Sequence, residues 1–248
     1  MTRALGVIVG RGASERLPGK ALREIGGVPL VGWTARAAAA ATLLSDIIIS
    51  TDQSDIAVTA QTHGVSAPFL RPKELAGRDV GNDQVLAHAL DWMEQKHAIE
   101  YEVVVLIQPT VPFLQPSDID GCIASVVEQS AGCCFTAVQA EVNPEGSFRQ
   151  TDQGIVEPVI PGPWLGKDRK KYPLAPAYRP NGALWAIWAK SFRDDQQVYT
   201  APIRLHEMVA ERSIDIDYEH DLLIADAIHT AFGFSPTPQI KGPFRVSE

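Results

Sequence analysis

Cysteine is scarce in this chain. Cys122, Cys133 and Cys134 are three among 248 residues, too few for a disulfide framework and without the paired spacing of a zinc site. They are expected as buried, reduced thiols. Positive charge is also in short supply: 22 Lys and Arg stand against 30 Asp and Glu, a formal net charge of −8. Such a balance excludes the broad basic face that nucleic acids require. No apolar run approaches the roughly 20 residues of a membrane span. The first apolar stretch, Ala4–Val9, has the length of a strand and lacks the cleavage pattern of a secretion signal. The expectation is a soluble, cytoplasmic protein with neither a nucleic acid nor a membrane as partner.

What the chain does have is rhythm. Short runs rich in Val and Ile alternate with amphipathic stretches, the pattern of βαβ units around a largely parallel sheet. Strands are expected at Ala4–Val9, 46–51, 101–107 and 133–138, with helices at 30–44, 54–63, 82–96 and 116–129. Ala37 to Ala41 supply high helix propensity, and Asp52 or Ser54 could cap the second helix. Residues 183–188 and 213–217 read as further strands and 218–232 as a closing helix. Residues 143–179 break the rhythm with six prolines, four glycines and most of the clustered positive charge. The expected fold class is α/β, a mostly parallel sheet with helices on both faces. Residues 1–142 and 180–234 form that domain, 143–179 an inserted arm, and 235–248 an irregular tail.

In open α/β sheets ligands bind beyond the carboxyl ends of strands. The loop after the first strand, residues 10–20, is therefore the first candidate. Gly10 and Gly12 free the backbone so that successive amides could point at one anion, and Ser14 adds a hydroxyl donor. Arg11, Arg16 and Lys20 add three positive charges within ten residues of an acidic protein. A nucleotide triphosphate suits that concentration of donors and charge. The two common phosphate loops are absent, because Ala21 follows Lys20 and Glu15 fills the third glycine's place. By itself, a Gly-rich βα turn is weak evidence for phosphate, and a solvated turn with incidental charges is the plainer reading. Asp215 and Asp217 alternate on a short expected strand, which puts two carboxylates on one face, as a cation or a polar strand edge would have them.

The run RLPGK (16–20) after an Arg-Gly-x-Ser segment resembles the nucleotide loop of the sugar-acid cytidylyltransferases. FLRP (69–72), LIQPTVPF (106–113), YRPNGALWA (178–186) and RSIDIDYEHDL (212–222) resemble the acylneuraminate branch of that family, in the branch's order. The resemblance implies a Rossmann-type nucleotide-diphospho-sugar transferase fold and a homodimer whose 143–179 arm reaches across. It implies CTP and a 2-keto sugar acid as substrates and Mg²⁺ on Asp215 and Asp217. By the same carry-over, Arg11 and Lys20 attend the phosphates, and Arg71 and Asn82 lie near base and ribose. Gln108 lies where nucleotide and sugar meet. Arg169, Arg179, Asn181 and Trp185 border the sugar. A ketodeoxyoctonate or amino-ketodeoxyoctonate cytidylyltransferase is the neighbouring enzymatic alternative, and a catalytically inactive nucleotide-binding regulator is another.

Departures gather in the sugar half. Trp185 replaces the usual tyrosine, and no lysine lies between Asn143 and Gly166. In the phosphate loop Glu15 stands where relatives usually carry lysine, and it is expected to point away or to pair with Arg16.

Overall fold

A computed structural model describes residues 2–162 and 174–236. In chain order it holds β1 (Ala4–Val9), the hairpin β2 (Glu24–Ile25) and β3 (Val28–Pro29), α1 (Leu30–Ala40), β4 (Asp46–Ser50) and α2 (Ser54–Thr62). Next come α3 (Asn82–His97), β5 (Val103–Ile107), α4 (Pro116–Glu128) and β6 (Cys133–Gln139). A second hairpin, β7 (Phe148–Gln150) and β8 (Val156–Pro158), precedes β9 (Tyr178–Trp188), α5 (Ala189–Asp195), β10 (Ile203–Glu207) and α6 (Glu219–Phe232).

Six strands form one sheet in the order β10-β6-β9-β5-β1-β4. β4, β1 and β5 run parallel, β10 runs parallel to β6, and β9 is antiparallel to both β5 and β6. Alternation along the parallel strands feeds two cores. Ala4 and Ile8 of β1 face α1, α2 and α4, while Leu5 and Val7 face α3 and α5. A third cluster joins Leu17, Ile25, Leu30, Trp33, Phe113, Ile216 and Leu222 under the Gly10 loop. Within it Trp33 and Phe113 meet edge to face, with centroids 5.4 Å apart. All three cysteines are buried and free.

Several expectations are corrected. Residues 213–217 form no strand, because the backbone spends its groups elsewhere. Ile216 N–H donates to the Thr110 carbonyl at 2.8 Å, and the Lys20 ammonium donates to the Ile216 carbonyl at 2.9 Å. The alternation survives without the strand, since Ile216 is buried between the two aspartates. α1 stops at Ala40, short of the expected 44, because the Asp120 carboxylate takes the amides of Thr42 and Leu43. Neither Asp52 nor Ser54 caps α2; Gln53 holds the cap position, and Asp52 instead accepts the Gly12 amide at 2.8 Å. Arg179 and Asn181 lie inside β9, which begins at Tyr178 instead of after a turn. The break in its pairing with β6 falls where Gly182 adopts φ +88°, a left-handed conformation suited to glycine. Sequence reading also missed α5, β10 and both hairpins. No helix among the described residues is long and apolar enough to cross a membrane.

The chain leaves β1 for β4 on one side and reaches β5 on the other. That reversal opens a crevice beyond the carboxyl ends of β1 and β5.

Candidate active site

A cleft of about 760 Å³ occupies this crevice. Its floor is the end of β1 with the loop that follows, and the Gly10 amide is tied to the Ser50 carbonyl at 3.2 Å. One wall is Gln108, Pro109 and Thr110 after β5. The far wall runs from Leu75 to Asn82 at the start of α3. Five cations, Arg11, Arg16, Lys20, Arg71 and Arg78, line it against the carboxylates of Glu15, Asp215 and Asp217. A cation-rich cleft in an acidic protein selects an anionic ligand.

The charges are arranged in pairs. Asp217 Oδ1 lies 2.8 Å from Lys20 Nζ and 2.8 Å from Arg16 Nη2. Among the described residues no ion pair reaches Asp215. Burial pushes its carboxyl above the usual range, the nearby Asp217 charge pushes the same way, and the Thr110 hydroxyl and Lys20 oppose them. Arg71 donates to the hydroxyl and the carbonyl of Ser50, and burial pushes its guanidinium down to about 10, so it stays charged at neutral pH. Arg11 reaches the Gly77 carbonyl at 3.4 Å.

Ten of the residues singled out from sequence come together here: Gly10, Arg11, Ser14, Arg16, Lys20, Arg71, Asn82, Gln108, Asp215 and Asp217. Others do not. Gly12 lies behind the cleft with its amide committed to Asp52, and a Cβ there would meet the Gln53 side chain at 2.1 Å. Asn181 is 1 % exposed and spends its amide internally on Ser213 Oγ, Met208 Sδ and the Ala183 amide. Arg179 is exposed at the start of β9 and lies outside the cleft lining. Arg169 lies outside the described residues. Trp185 lines an adjoining pocket of about 400 Å³ with Leu106, Gln196, Gln197, Val198 and Tyr199, and Asn82 borders both spaces. Its indole Nε1 is buried there without a hydrogen-bond partner among the described residues.

Glu15 pairs with Arg78 at 3.4 Å instead of with Arg16. Both groups are exposed, so the pair is weak. Arg78 itself escaped the sequence reading; its only signal is the Gly-Arg-Asp-Val-Gly-Asn run before α3.

Two carboxylates facing a cavity offer oxygen donors alone, and no third acid, His or Cys completes a metal group among the described residues. This donor set fits a hard cation that completes its shell from phosphate and water, as Mg²⁺ does.

Residues 5–152 match the model of the family described as Cytidylyltransferase. A CMP-N,N'-diacetyllegionaminic acid synthase from Legionella pneumophila is 30% identical over 233 residues, covering 91% of this chain and 96% of that protein. A pseudaminic acid cytidylyltransferase from Campylobacter jejuni is 22% identical over 90% of this chain and 94% of its own. The chain belongs to the cytidylyltransferase family. It is therefore a nucleotidyltransferase. The solved structure of a CMP:2-keto-3-deoxy-manno-octonic acid synthetase complexed with CTP matches with a TM-score of 0.68 at 16% identity. The match covers 93% of this chain and 100% of that one, and it supports the mixed α/β fold.

Proposed function

We propose that the protein transfers CMP from CTP to a 2-keto sugar acid of the sialic-acid-like nonulosonate class, releasing pyrophosphate. The observation that carries this reading is the facing of an Arg/Lys-rich loop and a carboxylate pair across one cleft at the sheet's switch point. The triphosphate lies along Gly10, Arg11, Ser14, Arg16 and Lys20, while Arg71 and Asn82 hold ribose and base. Arg16 and Lys20 both pair with Asp217, so a triphosphate would compete with that carboxylate for both cations. Mg²⁺ held by Asp215 and Asp217 would offset the phosphate charge that builds up during transfer.

The sugar acid occupies the adjoining pocket lined by Trp185 and Tyr199. Its anomeric hydroxyl attacks the α-phosphorus in line, the bond to the β-phosphate oxygen breaks, and pyrophosphate leaves. Gln108, in the wall of the cleft, orients the reacting groups through an amide that both donates and accepts. Arg11, Lys20 and the loop amides stabilise the departing pyrophosphate, positioning and electrostatics being the main sources of rate in phosphoryl chemistry.

The test is pyrophosphate release with Mg²⁺, each of the four nucleoside triphosphates, and a panel of nine-carbon and eight-carbon 2-keto sugar acids. CTP with a nine-carbon acid should give turnover. Preference for the eight-carbon acid would move the protein to the ketodeoxyoctonate class, and silence throughout would sink the reading. Work in the cytoplasm, where CTP is available, is part of the proposal; recovery of the protein from another compartment by cell fractionation would count against it.

A further inference from the structure

Between Ser213 and Asp217 the chain belongs to no helix or strand, yet it must deliver two carboxylates to one point. Its approach is fixed by buried polar groups. Arg212, at the end of the turn Ala210–Arg212, grips Asp118 with both terminal nitrogens, Nη2 to Oδ1 at 3.2 Å and Nη1 to Oδ2. Asp118 is 2 % exposed, near the start of α4. It also accepts the Gln115 amide at 2.9 Å and meets His206 Nε2 of β10 at 3.1 Å. These donors hold the carboxyl below its usual range despite burial, so it remains an anion.

Such a pair contributes little net stability. The desolvation cost of a buried ion pair offsets most of its attraction, and apolar replacement of both partners is often neutral, whereas loss of one partner is costly. What a fork-shaped guanidinium on a carboxylate provides is fixed orientation. Ser213, the next residue, is clamped from the other side by Asn181 at 3.1 Å. Three residues after Arg212 comes Asp215.

We propose that Arg212 is a positioning residue, anchored on Asp118, that sets where Asp215 and Asp217 present their oxygens to the phosphate-bound cation. The inference rests on the reading of those two aspartates as cation ligands. Arg212 touches neither aspartate and acts through the backbone between them. Groups bonded directly to a metal ligand alter affinity or activity by about 10–100-fold, and the lower end of that range is expected here.

The experiment compares the wild-type chain with the double variant D118L/R212M, which removes both charges together, and with R212K, which keeps the charge and loses the fork. Mn²⁺ binding in the presence of CTP is followed by electron paramagnetic resonance, with melting temperature and steady-state kinetics measured alongside. The double variant should melt close to wild type, bind Mn²⁺ about tenfold more weakly or worse, and lose kcat with little change in KM for CTP. R212K should show the same weakening to a smaller degree, and it decides the matter if the double variant fails to fold. Wild-type Mn²⁺ affinity and kcat in a folded variant would reduce the pair to ordinary packing and overturn the proposal. No Mn²⁺ binding by the wild type would overturn the cation reading, and this inference with it.

Discussion

Asp215 is the residue on which stability and activity pull in opposite directions. Its carboxyl is raised by burial, so between the unfolded and folded values the native state holds its proton longer than the unfolded chain does. Stability therefore falls as pH rises through that window and stays lower above it. Asp215 keeps an exposed surface, so solvent screening shrinks this effect, and Asp215→Asn should melt no lower than the wild type at pH 7 in a thermal scan. Turnover by the same variant should drop by roughly 100-fold or more, as expected when a cation worth several kcal/mol loses a ligand. A variant that melts lower, or that keeps full activity, contradicts this assignment. Lys20→Met should raise KM for CTP and lower kcat together in steady-state kinetics, because on the proposed reading the ammonium that holds Asp217 would also hold the phosphates. At this scale the sequence showed which residues carry chemistry and less well what each touches. Resemblance puts Asn181 at the sugar, but only the fold reveals that its amide is consumed by Ser213 and Met208. Asp52 looked like a helix cap, yet it holds the Gly12 amide, a partner 40 residues away.

Among the elements, the segment through Asp215 and Asp217 is the one whose conformation depends most on its neighbours. Ile216 is its apolar anchor, buried with Leu17, Trp33 and Phe113. Ile216→Ala should cost roughly 2–5 kcal/mol in denaturant unfolding, the usual range for emptying a buried aliphatic site. A loss under about 1 kcal/mol would mean that the segment is not held by this core. Local pattern made the parallel strands legible, because β1, β4 and β5 are continuous apolar runs buried on both faces. It failed where the deciding bonds are long-range. The segment 213–217 alternates like a strand, but its hydrogen bonds go to Thr110 and Lys20. β10 alternates too, and as a half-exposed edge strand among charged residues it gave no apolar run to notice.

At the scale of the whole molecule, one sheet edge ends on a strand with no further strand beside it among the described residues. β10 ends the strand order and exposes Ile203 and Leu205. Apolar edges of this kind are usually covered. A homodimer through this face is the expected state, with light scattering giving about twice the 26.9 kDa of one chain. Leu205→Lys should shift the protein toward monomer. A wild-type monomer at micromolar concentration would remove the dimer from the account. The cleft gathers the Gly10 loop, Arg71, Asn82, Gln108 and both aspartates beyond the carboxyl ends of β1 and β5. The most direct test of this site is a crystal structure with CTP and Mn²⁺, phased on the manganese signal. The account predicts an anomalous peak within about 2–2.3 Å of carboxylate oxygens from both Asp215 and Asp217, with the triphosphate running along residues 10–20. Manganese or nucleotide bound elsewhere, with Asp217 still paired to Arg16 and Lys20, would contradict it.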